Sequence, residues 1–151
     1  MSFDCGPGNC LIDGWIRKQQ NKAYDHNGQW GGQSSPDPQL LAYMLKHPFI
    51  GKRAPKSACV RDFSLDWLQD CLQICPPIEA VRVQATLTAF TAECIARAVC
   101  GRPARTTDLN TTVVLCGGGA RNQTLINNIR ECARVDAVSY THLTLPTICS
   151  V

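Results

Sequence analysis

Nowhere does an uninterrupted apolar stretch approach the roughly 18 residues of a membrane span, and no charged-then-apolar leader opens the chain. A cytoplasmic protein with no membrane partner is the expectation. Dense basic runs are also missing. With 15 Lys and Arg against 12 Asp and Glu the net charge is only +3, so nucleic-acid binding gets no support, while small anionic ligands remain open. Cysteine is not scarce, at ten residues, but without an export signal the thiols read as free, several of them packed as small hydrophobes. Cys71 and Cys75 lack a second close Cys or His pair that would complete a tetrahedral site, so a metal-cysteine centre is not expected. There is no internal repeat. The 151 residues, 44% hydrophobic and 18% charged, suit one ordinary domain with a buried core.

Two glycine-rich stretches carry most of the functional signal: Asp4-Cys5-Gly6-Pro7-Gly8-Asn9 at the start, and Cys116-Gly117-Gly118-Gly119-Ala120-Arg121-Asn122 near the end. The second follows the β-branched run Thr111-Thr112-Val113-Val114-Leu115 and precedes Thr124-Leu125-Ile126-Asn127-Asn128-Ile129, which reads as strand, side-chain-free turn and helix start. Backbone in such a turn comes within contact distance of a flat or anionic ligand, and the helix N-terminus offers it free N–H groups. A nucleotide fits that geometry; a tight turn that serves packing alone is the alternative.

Between the two stretches, Asn9 can cap a helix that runs to about Lys22, with Leu11, Trp15, Ile12 and Ile16 on its apolar side. Tyr24 to Pro38, rich in Gly, Ser, Asn and Pro, reads as a surface loop. A short helix follows at about Gln39 to Lys46, and His47-Pro48 breaks it. After the polar loop Arg53-Ala54-Pro55-Lys56-Ser57, another helix starts at Ser64 or Asp66 and ends at Pro76-Pro77. From about Pro77 to Cys100, Val83, Leu87, Phe90, Cys94 and Ala98 recur at helical spacing as one core-facing stripe, closed by Gly101-Arg102-Pro103. Trp15 and Trp67 read as core, and Lys56 as an exposed loop lysine.

Order and spacing of these motifs resemble those of the anhydro-N-acetylmuramic acid kinases. Phe3-Asp4-Cys5-Gly6-Pro7-Gly8-Asn9 is similar to that family's F/Y-D-T-G-P-G-N, and Leu11-Ile12-Asp13-Gly14-Trp15-Ile16 to its L-M-D-A-W-I. Pro55-Lys56-Ser57, Phe63, Trp67-Leu68, Gln84-Ala85-Thr86-Leu87-Thr88, Thr91-Ala92 and Cys116 to Asn122 continue the likeness in the same order, over Phe3 to about Cys132. The resemblance implies an α/β fold of the actin-like and hexokinase-like (ribonuclease H-like) ATPase class, here an incomplete C-terminal lobe over residues 1–137. It also implies use of ATP and Mg2+ to hydrolyse and phosphorylate a small-molecule amino sugar, 1,6-anhydro-N-acetylmuramic acid, to N-acetylmuramic acid 6-phosphate in peptidoglycan recycling.

By position, the resemblance makes Asp4 the general base, with Asp13 a weaker candidate; local capping is the bland alternative for both. Gly6, Gly8 and Asn9 would approach phosphate, Gly117, Gly118 and Gly119 would make room for adenosine, and Arg121 and Asn122 would flank base or ribose. This sequence departs from the family pattern at Cys5, where a thiol replaces a better-donating threonine hydroxyl, and at Ala58 to Asp62, where a glycine is lost and Arg61 is displaced. An M-S-G-T-S-x-D glycine loop from the opposing lobe is missing, so the chain is expected to be inactive alone, and its exposed inter-lobe surface is compatible with a homodimer. Val138 to Val151 is similar to a transposon-end sequencing adapter translated in frame, which makes a non-native tail the expectation and a native β-like tail the alternative; His142 and Cys149 would then have no function. A non-catalytic nucleotide-binding or interaction protein on the same fold is the competing functional reading.

Overall fold

Helices dominate. The computed structural model describes residues 3–59, 61–100, 112–134, 136–139 and 149–150. They form α1 (Cys10–Gln20), α2 (Pro38–Met44), α3 (Pro48–Gly51), α4 (Leu65–Ile74), α5 (Ala80–Cys100), β1 (Thr112–Cys116), α6 (Gln123–Ala133), β2 (Asp136–Ser139) and β3 (Cys149–Ser150), with 3-10 turns at His26–Gly28, Gly31–Gln33 and Gly118–Arg121. The expected α/β composition is present as a helix-rich arrangement with one small sheet. Its strand order is β2-β1-β3, all parallel, with Thr112 opposite Asp136 and Leu115 opposite both Ser139 and Cys149. Parallel strands need a crossover, and α6 supplies the one between β1 and β2. Of the expected non-native tail, only Val138, Ser139, Cys149 and Ser150 lie within the described residues, and His142 lies outside them.

Helix α5 is the shared wall of two cores. On one face Val83, Leu87, Phe90 and Cys94 pack with Leu11, Ile12 and Trp15 of α1, Leu40 and Met44 of α2, and Leu68 and Cys71 of α4. On the other, Ala92 and Ile95 meet Val113 and Leu115 of β1 and Leu125, Ile126 and Ile129 of α6. The periodicity predicts one stripe; the structure buries its first four members, leaves Ala98 half-buried, and adds the second face. Polar residues between the faces are buried too. Thr86, Thr88 and Thr91 turn their hydroxyls onto the carbonyls of Arg82 (2.7 Å), Gln84 (3.0 Å) and Leu87 (3.0 Å), so no hydroxyl is left bare between the cores.

Burial pushes the Cys94 thiol up to about 12 and the Cys71 thiol up to about 11. The thiolate is the reactive form, and at pH 8 its share at Cys94 is on the order of one in ten thousand. In native protein treated with iodoacetamide at pH 8, exposed Cys59 is expected to be labelled well before the buried Cys71 and Cys94. Cys71 and Cys94 should be labelled only as fast as the chain opens, with peptide mass spectrometry as the readout. Equal rates at Cys94 and Cys59 would show that the α5 core is open.

Candidate functional site

Asp4 sits outside any helix or strand, and its side chain is exposed. Its backbone N–H donates to the Lys56 carbonyl (3.0 Å), and its Oδ2 accepts from the Ser57 hydroxyl (3.1 Å) and the Ala58 N–H (2.9 Å). Both donors to the carboxylate come from a distant loop, so Asp4 does not cap the glycine turn that follows it. Lys56 is not the free surface cation that its setting suggests. Half-buried, it donates from Nζ to the carbonyls of Phe49 (3.0 Å) and Ile50 (3.3 Å) and stands 4.6 Å over the Phe49 ring.

From Asp4 the chain crosses the face of α5. A Cβ added to Gly6 would stand 2.7 Å from Cys94 Cβ, an approach to α5 that only a glycine allows. The Gly8 carbonyl accepts from the Thr91 hydroxyl (3.2 Å), and Pro7 is buried. Asn9 then holds the N-cap position of α1, with its carbonyl accepting from the Asp13 N–H (2.8 Å), but its side chain makes no capping bond. Instead the amide turns toward the second glycine stretch. Asn9 Nδ2 lies 3.1 Å from where a Cβ on Gly118 would stand, and Asn9 Oδ1 is buried without a partner. The structure thus brings the two stretches together through Asn9 and Gly118.

In the second stretch Gly117 and Gly118 are exposed, while Gly119 and Ala120, inside the 3-10 turn, are buried. Asn122, buried, caps α6: its Oδ1 accepts from the Leu125 N–H (2.9 Å), so that oxygen is committed to the helix start. Arg121 is exposed. Asp13 lies half-buried in the first turn of α1, where burial raises its carboxyl above the usual range, Arg17 opposes the shift and Asp25 adds to it. Trp15 is core, its Nε1 donating to the Ala80 carbonyl (2.9 Å), and Trp67 packs edge-on to Phe63 (5.6 Å between ring centres).

The stretch read as a surface loop is exposed at most of its positions, but its 3-10 turns also fold inward, so that Asp25, Gly28 and Gly31 are buried against α5 and the start of α6. Asp25 accepts from the N–H groups of Trp30 (2.9 Å) and Gly31 (2.9 Å) and from Gln84 Nε2 (3.3 Å), and the Gly28 carbonyl accepts from the Thr124 hydroxyl (2.8 Å). Two polar residues on a buried helix, Gln84 and Thr88, are the signal in the sequence that an inward-facing polar partner exists. A cavity of about 350 Å³ lies between this loop and the end of α1, lined by Ile16, Gln20, Tyr24, Asp25, Trp30 and Gln33. It does not include either glycine stretch. No helix among the described residues is long and apolar enough to cross a membrane.

The model of the family described as anhydro-N-acetylmuramic acid kinase matches residues 1–147. Among curated proteins, an anhydro-N-acetylmuramic acid kinase of Pseudomonas fluorescens (strain Pf0-1) is 40% identical over 129 residues, covering 85% of this chain and 34% of the relative. Proteins of the same name from Ralstonia nicotianae (42% over 132 residues, 85% and 33%) and Legionella pneumophila strain Paris (42% over 120 residues, 80% and 31%) are similarly related. The chain spans about a third of the length of these relatives.

Proposed function

The chain belongs to the anhydro-N-acetylmuramic acid kinase family, and we propose that it forms part of the nucleotide-binding C-terminal lobe of an actin-like, hexokinase-like ATPase. In this reading residues 1–137 contribute to a phosphotransferase that opens the internal ring of 1,6-anhydro-N-acetylmuramic acid and phosphorylates it to N-acetylmuramic acid 6-phosphate, for peptidoglycan recycling in the cytoplasm. Residues 138–151 are an appended tail. The family match runs on through residue 147, and resequencing the gene decides between that tail and a native one.

Asp4 is the general base of the proposal. It takes a proton from the water that attacks the anomeric carbon; the anomeric C–O bond to the bridging oxygen breaks, and that oxygen receives the γ-phosphoryl group. The supporting observation is the exposed Asp4 carboxylate, gripped through one oxygen and leading into a turn that ends beside the triple glycine. ATP supplies the phosphoryl group, with Mg2+ to offset its charge. The residues present fit a nucleotide at the seam of the two stretches. The orphaned Asn9 Oδ1 is an acceptor suited to a ligand hydroxyl, amine or metal-bound water, while Gly117 and Gly118 leave the surface there free of side chains. Gly6 and Gly8 line the approach, Gly119 and Asn122 support the corner, and Arg121 is free to reach base or ribose.

The test is a full-length protein carrying this chain, or a chimera in which the chain replaces the matching third of the Pseudomonas fluorescens relative, assayed for ATP-dependent phosphorylation of the anhydro sugar. Asp4→Asn is expected to lower kcat by at least about a hundredfold with thermal stability unchanged. An active parent whose Asp4→Asn variant keeps its kcat sinks the assignment of the base. A parent that binds ATP and turns over no sugar supports instead the non-catalytic nucleotide-binding reading.

A further inference from the structure

Exposed carboxylates on loops sample several rotamers, and a general base that does so spends little time aimed at its proton. Asp4 is held at two points instead. Its backbone N–H is tied to the Lys56 carbonyl at 3.0 Å, and Oδ2 takes both the Ser57 hydroxyl at 3.1 Å and the Ala58 N–H at 2.9 Å. Together these bonds fix the direction of the side chain from both its ends. Both donors to the carboxylate, the Ser57 hydroxyl and the Ala58 backbone N–H, fall on Oδ2, and among the described contacts Oδ1 takes no donor.

The loop that makes this grip has its own anchor. Lys56 Nζ donates to two carbonyls of α3, at Phe49 (3.0 Å) and Ile50 (3.3 Å), and lies 4.6 Å over the ring of Phe49. Phe49 is 1% exposed in the first core and packs edge-on against Phe63 at 5.4 Å between ring centres. A cation held by two carbonyls and a ring face has little left to offer a phosphate, which argues against Lys56 as an anion ligand. The path runs unbroken from the core through Phe49 and Lys56 to Ser57, Ala58 and the carboxylate.

We infer that Lys56 and Ser57 are positioning residues for Asp4: the loop they form clamps Oδ2 and leaves Oδ1 as the oxygen that meets the attacking water. This rests on Asp4 being the base, and the experiment separates the two. In the active full-length protein or chimera, Ser57→Ala is expected to lower kcat roughly tenfold or more, with KM for ATP and for the sugar within about twofold and an unchanged thermal midpoint. Ser57→Thr, which keeps the hydroxyl, restores most of the rate. Lys56→Met gives a similar loss of kcat, and Lys56→Arg a smaller one, because a guanidinium can still donate to both carbonyls and cover the ring. A role confined to stability would move the midpoint and would not be rescued by threonine.

In the 151-residue chain itself, Asp4→Ala is expected to speed hydrogen exchange of the Ala58 amide several-fold, since that N–H loses its acceptor. The clamp is overturned if Asp4→Asn abolishes activity while Ser57→Ala and Lys56→Met both keep kcat within twofold. Exchange at Ala58 that ignores the loss of the carboxylate overturns it as well. If Asp4→Asn keeps its activity, the base assignment is what has failed, and the Ala58 exchange alone then decides whether the grip exists.

Discussion

Replacing Gly28 with alanine is expected to destabilise the chain by about 3 kcal/mol and to lower its melting temperature by about 10 °C. Gly28 has φ +68°, and a Cβ built on it would stand 2.2 Å from Asn122 Oδ1 and 2.7 Å from Thr124 Cβ and Oγ1. Three costs combine. The left-handed backbone costs a residue with a side chain about 1 kcal/mol. Pushing Asn122 aside removes its bond to the Leu125 N–H (2.9 Å), and a lost N-cap costs about 1 kcal/mol. Displacing Thr124 breaks its 2.8 Å bond to the Gly28 carbonyl, worth about 1 kcal/mol. Relaxation of the loop reduces the total, but Gly28 is buried against the start of α6 and has little room to move. Gly51→Ala is the control: at the end of α3, with nothing within 4 Å of its Cβ, it should be neutral or stabilising by a few tenths of a kcal/mol. Urea denaturation of both variants measures the difference. Equal midpoints would mean that the 24–33 loop does not pack on α6.

That prediction depends on a region whose burial could not be read from composition. Turn residues were legible between Tyr24 and Pro38, and turns are there. Which side of a turn faces water is decided by partners distant in sequence, here Gln84 on α5 and Thr124 on α6. Where local chemistry sufficed, reading and structure agree. The helix expected from Asn9 to about Lys22 is α1, closed by Asn21 in the left-handed region (φ 55°). The open choice between Ser64 and Asp66 falls to Ser64, whose hydroxyl accepts from the Trp67 N–H at 3.2 Å.

His47-Pro48 was legible as a break but not as a start. Proline at the first position of a helix has no N–H to lose, and His47 Nδ1 accepts from the Phe49 N–H at 3.2 Å, so the same dipeptide that ends α2 begins α3. The candidate site divides in the same way. Residue types and motif order pointed to Asp4, Asn9 and the triple glycine, since each carries its chemistry locally. That Asn9 gives up its cap to meet Gly118, and that Ser57 and Ala58 hold Asp4, follows from the tertiary path alone, because in each case the partners sit on different loops.

Loss of the Asp25 carboxylate should cost more than any single apolar truncation at the rim of the two cores, about 4 kcal/mol for Asp25→Ala, from a total stability on the order of 10 kcal/mol. Asp25 is 5% exposed, and its two oxygens satisfy the N–H groups of Trp30 and Gly31 at 2.9 Å each and Gln84 Nε2 at 3.3 Å. Alanine leaves all three donors without an acceptor, and each orphaned buried donor costs about 1–3 kcal/mol. Gln84 has no slack to absorb the change, because its Oε1 is already buried without a partner. Asp25→Asn keeps the shape but must turn an NH2 toward one of the donors, so about half the loss is expected. Hydrogen exchange at Trp30 and Gly31 should accelerate in both variants, more in Asp25→Ala, while exchange in α4, on the far side of the first core, stays slow. A midpoint for Asp25→Ala within about 1 kcal/mol of the parent would mean that water reaches these donors, and the loop would then be the surface feature its composition suggests.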